Sequence, residues 1–204
     1  MDILLRLLIL IVSYLLGSVS SSIIVGKIKS GKDIRTMGSG NAGATNTLRT
    51  FGKGAALFVI LGDGLKTVIS ILIAKVIFPE DSIAVYIAGL GCVLGHNFPV
   101  YYGFKGGKGV LVSIVSILFA NWKIGLITFF ISILIMIFTK YVSLGSIIGS
   151  ILVVILAVLY EKGNIEYLIF SFILAVLCIY RHRANIVRLI KGTENKLGGK
   201  KEEK

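Results

Sequence analysis

The chain has 204 residues, 55% of them hydrophobic and 16% charged, against the roughly 45–50% apolar content of a soluble domain. A water-soluble core of this size cannot hide that much apolar side chain, whereas ~20 residues per crossing leave room for about seven membrane spans and the loops between them. The 22 Lys+Arg against 10 Asp+Glu give a net charge of +12, which in a soluble protein points to nucleic acid. In a membrane protein it points to the lipid bilayer and to anionic small molecules, and no nucleic-acid partner is expected.

Apolar runs fall at 3–25, 55–78, 83–93, 110–120, 124–138, 142–159 and 165–179. The first exceeds a signal-peptide core and lacks a small-residue cleavage site, so it reads as a retained first helix. Asn121-Trp122-Lys123 interrupts the fourth and fifth runs, and the distribution of basic residues decides whether it is a turn or an irregularity in one long helix. With seven spans, 17 of the 22 Lys/Arg lie in the loops 26–54 and 95–108, at Lys140 and in the tail from Arg181, all on one side. A six-span arrangement would put the basic tail opposite the first loop. The expected fold is therefore an all-α polytopic membrane protein of seven transmembrane helices, N-terminus outside and C-terminus cytoplasmic. Residues 1–195 form one membrane domain with cytoplasmic loops, and 196–204 a disordered tail that meets anionic headgroups. Cys92 and Cys178 sit in apolar runs and read as thiols at lipid depth, with neither a disulfide framework nor C-x-x-C spacing.

Three polar clusters concentrate on the basic side. The first reads Gly38-Ser39-Gly40-Asn41-Ala42-Gly43-Ala44-Thr45-Asn46-Thr47-Leu48-Arg49. It satisfies G-x-G-x-x-G, but the dinucleotide reading requires a preceding strand and a βαβ unit, and here an apolar helix precedes it. The physics that survives is anion binding: Gly38, Gly40 and Gly43 let the backbone approach, while Ser39, Asn41, Thr45 and Asn46 add short donors. If the segment after Gly43 is helical, Thr45, Asn46 and Arg49 share a face. The bland reading is a capped re-entrant turn.

The second cluster, Gly95-His96-Asn97-Phe98-Pro99 through Phe104-Lys105-Gly106-Gly107-Lys108-Gly109, resembles a phosphate loop with a helix starting just after it. It is not a Walker A sequence, since Tyr102 stands at the first required glycine and Gly109 at the Ser/Thr that would hold Mg²⁺. Lys105 also suits simple positive-side anchoring. The third cluster runs from Arg181 to Glu194. His182 and Asn185 share a helical face with Arg188 nearby, and an imidazole there titrates near neutrality as base or orienter. Arg183 and Lys191 suit membrane anchoring. Within the second apolar run, Asp63 and Lys66 are spaced i,i+3 for a mutual pair, an expensive place for charge unless it supports a site.

Gly-Ser-Gly-Asn-x-Gly-Ala-Thr-Asn-x-x-Arg at 38–49, Gly-His-x-Phe-Pro-Val with Phe-Lys-Gly-Gly-Lys-Gly-Val at 95–110, and Arg-His-x-x-Asn-Ile-x-Arg-Leu-x-x-Gly-x-Glu at 181–194 resemble the three motifs of the bacterial acyl-phosphate-dependent glycerol-3-phosphate acyltransferase family, PlsY. The resemblance implies a seven-helix plasma-membrane enzyme that acylates the sn-1 hydroxyl of glycerol-3-phosphate, making lysophosphatidic acid and releasing phosphate in the first acylation of phospholipid synthesis. It further implies catalytic roles for Ser39, Arg49, Lys108, His182, Asn185 and Glu194. Phosphate binding falls to Gly40, Asn41, Thr45, Asn46, Gly106, Gly107, Gly109 and Arg188, with Asp63, Lys66, His96 and Asn97 in support. The chain departs from the usual pattern at Leu111-Val112, where Ala-Thr is common, at Thr67 for Gly and at Ser20 for Pro.

An acyl phosphate is already activated, so no acyl-enzyme is needed, and neither a cofactor nor a metal is expected. The sequence agrees: it has no G-x-S-x-G elbow and no H-x-x-x-x-D, and Asp63-Gly64 lacks the further aspartates of a two-metal phosphotransferase. The base that takes the glycerol hydroxyl proton is either His182 or a substrate phosphate. The competing class is a membrane transporter or channel for phosphate esters, which calls for polar groups in both leaflets; here they gather on one face.

Overall fold

The computed structural model describes residues 2–198, which contain no strand. Among these described residues nine α-helices follow one another: α1 (Asp2–Ser18), α2 (Ser21–Ser30), α3 (Ala44–Ile77), α4 (Ser82–Asn97), α5 (Val110–Ala120), α6 (Trp122–Thr139), α7 (Val142–Tyr160), α8 (Ile165–Arg181) and α9 (Arg183–Ile190), with 3-10 turns at Ile34–Thr36 and Val100–Tyr102. The first apolar run is divided between α1 and α2, and each later run falls on one helix. The chain divides into two compact units between Ala120 and Asn121.

The helices depart from seven uniform rods in four places. The first run breaks at Ser20, whose backbone is extended (φ −101°, ψ 101°), so α1 ends at Ser18 and a second short helix follows. α3 starts well before its apolar run and carries Gly52 at φ 83°, a left-handed-region angle that favours glycine. Its polar first turns are thereby set off from the apolar rod. α5 has only 11 residues, about 16 Å at the helical rise, roughly half the hydrocarbon thickness. α8 bends by 61° at His182 into α9. By length and composition five stretches suffice to cross a membrane, or six counting the bent pair, among the described residues.

In the first unit, α1 and α4 approach closely because their contact is built of small residues, as apolar helices in lipid require. A Cβ on Gly17 would overlap the backbone of Cys92, one on Gly95 the Tyr14 carbonyl, and one on Gly91 would lie 2.8 Å from the Leu10 carbonyl. Asp81 caps α4 by accepting from Ile83 N (2.8 Å) and Ala84 N (3.3 Å), and it pairs with Arg6 at 2.5 Å.

In the second unit, Gly145 and Gly149 of α7 seat against Met136 and Ser132 of α6 by the same logic. Asn121 caps α6 through Ile124 N (3.1 Å) and donates to Glu161 (2.6 Å), which also accepts from Asn164, the cap of α8. The Asn121-Trp122-Lys123 interruption is thus a helix break with its own cap. Large apolar side chains such as Phe58, Val76 and Phe138 remain 69%, 80% and 81% exposed, as expected where lipid is the solvent. Cys92 and Cys178 are buried free thiols. At the start of the tail expected to be disordered, Leu197 N donates to the Lys140 carbonyl (2.7 Å) and Lys196 lies over the Tyr141 ring; residues 199–204 lie outside the described residues.

Candidate active site

The first polar loop is shaped from inside by Asn46. This residue, on the first turn of α3, is 1% exposed. Its Oδ1 accepts from Ser39 N (2.8 Å), and its Nδ2 faces the carbonyls of Ile34 (3.2 Å), Met37 (3.0 Å) and Asn41 (3.1 Å). The carboxamide expected to meet a phosphate is committed to the loop's own backbone. Ser39, Gly40 and Arg49 are exposed, and Asn41 and Thr45 half-buried. Because the helix starts at Ala44, Thr45 and Arg49 do fall one turn apart on the same helix. Asn46→Ala leaves the Ser39 N–H and three carbonyls short of a partner and is expected to cost about 3 kcal/mol. A lowered melting temperature and faster proteolytic nicking between 37 and 43 check this, and an unchanged melting temperature contradicts it.

The second loop packs onto the first. Ile23, Ile34 and Ala42 form a small buried cluster with Met37, Phe51 and Tyr102 against it. Arg35 ties the two together: its Nη1 donates to the carbonyls of Tyr102 (2.8 Å) and Lys105 (2.7 Å), while Nε and Nη2 grip Asp33. Hydrogen bonding from Arg35 holds the Asp33 carboxyl below the usual carboxylate range. The sequence reading missed this clamp, because Arg35 was counted only among the basic residues that set orientation; Asp33-x-Arg35 was its sole trace.

Glycine is required at 106 and 107 for close approach. The Gly106 and Gly107 N–H groups donate to the carbonyls of Asn97 (3.2 Å) and His96 (3.1 Å) at the end of α4. A Cβ at Gly106 would overlap the His96 carbonyl, and one at Gly107 the Ala42 carbonyl and His96 Nε2. These two N–H groups therefore close the loop onto α4, where the sequence suggested they would approach an anion directly. Gly109, at φ 74°, turns the chain into α5, so Lys108 stands at a helix N-terminus whose dipole favours an anion. Asn97 is fully buried beneath it, and its Oδ1 would lie 2.7 Å from a Gly109 Cβ.

Below these loops Asp63 and Lys66 form the anticipated pair, 3.0 Å apart and both buried. Ser21 donates to Asp63 (2.9 Å). Lys66 Nζ also donates to the carbonyls of Gly17 (2.9 Å) and Val19 (2.7 Å), which the break after α1 leaves available, and lies 3.1 Å from His96 Nδ1.

In the second unit the residues of the third motif gather around Glu194. The turn after α9 contains Gly192 at φ 69°, with Thr193 N donating to the Arg188 carbonyl (2.8 Å), and so brings Glu194 back onto the helix. Glu194 accepts from Ser143 Oγ (2.8 Å) and Asn185 Nδ2 (2.6 Å) and pairs with Arg188 Nε (2.7 Å). Burial pushes its carboxyl up, but these three partners outweigh that and hold it below the usual carboxylate range. Because the folded value is depressed, the stabilisation is complete above the unfolded pKa of about 4.3 and is lost as pH falls through the lower folded value. Glu194→Gln is expected to cost about 2 kcal/mol at neutral pH, with the gap in melting temperature to the parent closing below about pH 4; a gap constant across that range contradicts the assignment.

His182, at the bend, is 2% exposed. Its Nδ1 lies 2.8 Å from the Cys178 carbonyl, and a carbonyl only accepts, so Nδ1 carries a hydrogen and the ring is oriented by the backbone of α8.

The family described as glycerol-3-phosphate acyltransferase matches residues 7–192. A glycerol-3-phosphate acyltransferase of Clostridioides difficile (strain 630) is 46% identical over 206 residues, covering 99% of this chain and 100% of its own. One from Shouchella clausii (strain KSM-K16) is 47% identical over 191 residues, covering 92% and 93%. Among solved structures, the crystal structure of PlsY (YgiH), an integral membrane glycerol 3-phosphate acyltransferase, in its glycerol 3-phosphate form superposes with a TM-score of 0.87 at 38% identity, covering 95% of this chain and 96% of that one. The lysophosphatidic acid form gives 0.83 at 36% identity, covering 95% of each.

Proposed function

Since the chain belongs to the glycerol-3-phosphate acyltransferase family and is a multi-pass membrane protein, we propose that it transfers an acyl group from acyl phosphate directly to the sn-1 hydroxyl of glycerol-3-phosphate, with no acyl-enzyme. The observation that carries this reading is the clamp in the first unit, where Arg35 and the Ala42–Gly107 contact bind two anion-suited loops to each other. Two phosphate dianions repel, and an enzyme that joins their owners must supply cations from fixed positions.

Arg49, with Ser39 and Asn41, grips the phosphate of glycerol-3-phosphate, the guanidinium offering a bidentate fork. Lys108 at the start of α5 neutralises the acyl phosphate and, as the carbonyl is attacked, the departing phosphate. Its acyl chain lies among helices in lipid, which accounts for a membrane enzyme. The base that takes the hydroxyl proton is His182 or a substrate phosphate, and within the second unit Glu194 fixes Asn185 and Arg188. Attack of the hydroxyl on the carbonyl then breaks the C–O bond to phosphate, and the proton leaves with the base. Seven crossings, with the basic loops and C-terminus on the cytoplasmic side of the plasma membrane, fit the 17 of 22 Lys/Arg on one side; α5 then needs its flanking loop residues to complete a span.

Mixing the purified protein with acyl phosphate alone tests direct transfer. It is expected to release no burst of phosphate and to show no gain in protein mass. A burst stoichiometric with enzyme, with an acyl mass added, overturns it.

A further inference from the structure

The buried charge network beneath the two loops is larger than a self-satisfied ion pair. A buried i,i+3 Asp–Lys couple neutralises itself but leaves two ammonium hydrogens to be placed on further acceptors. Here the three hydrogens of the Lys66 ammonium are shared among four neighbours: Asp63 Oδ1 at 3.0 Å, the carbonyls of Gly17 and Val19 at 2.9 and 2.7 Å, and His96 Nδ1 at 3.1 Å. The two carbonyls lie at and just beyond the end of α1, where the break at Ser20 leaves them without a helical partner and where the helix dipole is negative. Lys66 is 7% exposed and His96 8%, so neither group exchanges its partners for water.

An ammonium has only hydrogens to offer. His96 Nδ1 lies 3.1 Å from it and 3.9 Å from Asp63 Oδ1; a second cation at 3.1 Å would be repelled, so the ring faces the ammonium with the Nδ1 lone pair and carries its hydrogen on Nε2. That nitrogen, together with the Ala42 carbonyl oxygen, lines the space that a side chain on Gly107 would occupy. It stands where the Gly38–Arg49 loop and the glycine loop touch.

We propose that Lys66 is a positioning residue: anchored on Asp63 and the end of α1, it fixes His96 with its hydrogen on Nε2 and thereby sets the spacing between the two loops at the Ala42–Gly107 contact. The chain's two histidines then differ in the hydrogen their surroundings fix, on Nε2 in His96 and on Nδ1 in His182. The proposal rests on the assignment of the glycine loop to acyl phosphate for one consequence only. Loosening the strut moves that loop and weakens binding of the substrate it holds, by the ~10–100-fold typical of lost orienting partners.

The test uses the full-length protein in detergent with nitrogen-labelled histidine. Only two histidines are present, so His96→Asn assigns both by difference. Long-range proton–nitrogen spectra at neutral pH are expected to show hydrogen on Nε2 of His96, the pattern surviving in Lys66→Arg and collapsing in Lys66→Met. Lys66→Met and His96→Asn are expected to raise KM for acyl phosphate at least ~10-fold with kcat within ~3-fold, and Lys66→Arg to restore it. His96→Asn retains an acceptor for Lys66, so it carries the kinetic arm if Lys66→Met does not fold. Hydrogen on Nδ1 of His96 in the parent, or unchanged KM for both substrates in His96→Asn, overturns the proposal. A rise in KM for glycerol-3-phosphate alone upholds the strut and instead overturns the assignment of the glycine loop to acyl phosphate.

Discussion

Alanine at Arg49 or at Lys108 is expected to lower kcat/KM by roughly three orders of magnitude while the protein stays folded and extractable. Arg49 is exposed and Lys108 half-buried, so neither is needed to fill a core. The expected loss follows from what each is asked to do, since removal leaves one of two neighbouring dianions without its countercharge in a site of reduced dielectric. Arg49→Lys separates fork from charge: the single ammonium retains attraction but not the bidentate geometry, and an intermediate rate is expected. Steady-state kinetics with both substrates varied give the answer. Activity within tenfold of the parent in either alanine variant refutes the clamp.

The second large effect is expected at a residue with no functional group. Gly107→Ala adds one methyl at a point already occupied by the Ala42 carbonyl and the His96 ring. A carbonyl of the first loop cannot yield cheaply, because Asn46 and Arg35 pin that segment and its neighbour. The glycine loop must move instead, and a displacement of ~1 Å at a positioned site costs about a hundredfold in rate. Gly54→Ala is the control, since a Cβ there meets nothing within 4 Å; it is expected to leave kcat/KM within about twofold. Equal activity in the two variants, measured alongside their melting temperatures, counts against loop spacing as a determinant.

The helical class and the position of every apolar helix were legible because lipid-facing runs are long and their polar interruptions sharp. The Asn121 break could be placed from the distribution of basic charge before its cap was seen. Crossing lengths were less legible. Composition marks 110–120 as apolar but does not say that the helix stops within those 11 residues. Nor does it show that the first run breaks at Ser20, because that break is sustained by a partner 46 residues away, Lys66, which binds the carbonyls it leaves open.

Within the site, residue type was informative and direction was not. Asn46 and Arg49 both suit a phosphate, yet one turns inward to hold four backbone groups and the other outward. Gly106 and Gly107 were read as anion donors because glycine permits close backbone approach; here the approach is to α4 and Ala42. The Arg35 clamp was invisible because its acceptors are carbonyls, and carbonyls have no sequence signature. By contrast the Asp63–Lys66 pair followed from its i,i+3 spacing and is present as such, whereas the Glu194–Arg188 pair depends on the turn at Gly192 and had no spacing signal.

The most direct measurement supplies the purified protein in lipid with acyl phosphate and labelled glycerol-3-phosphate. Direct transfer from acyl phosphate predicts lysophosphatidic acid and inorganic phosphate in equal amounts, with acyl-CoA unable to replace the donor. No lysophosphatidic acid, or its formation from acyl-CoA alone, contradicts it.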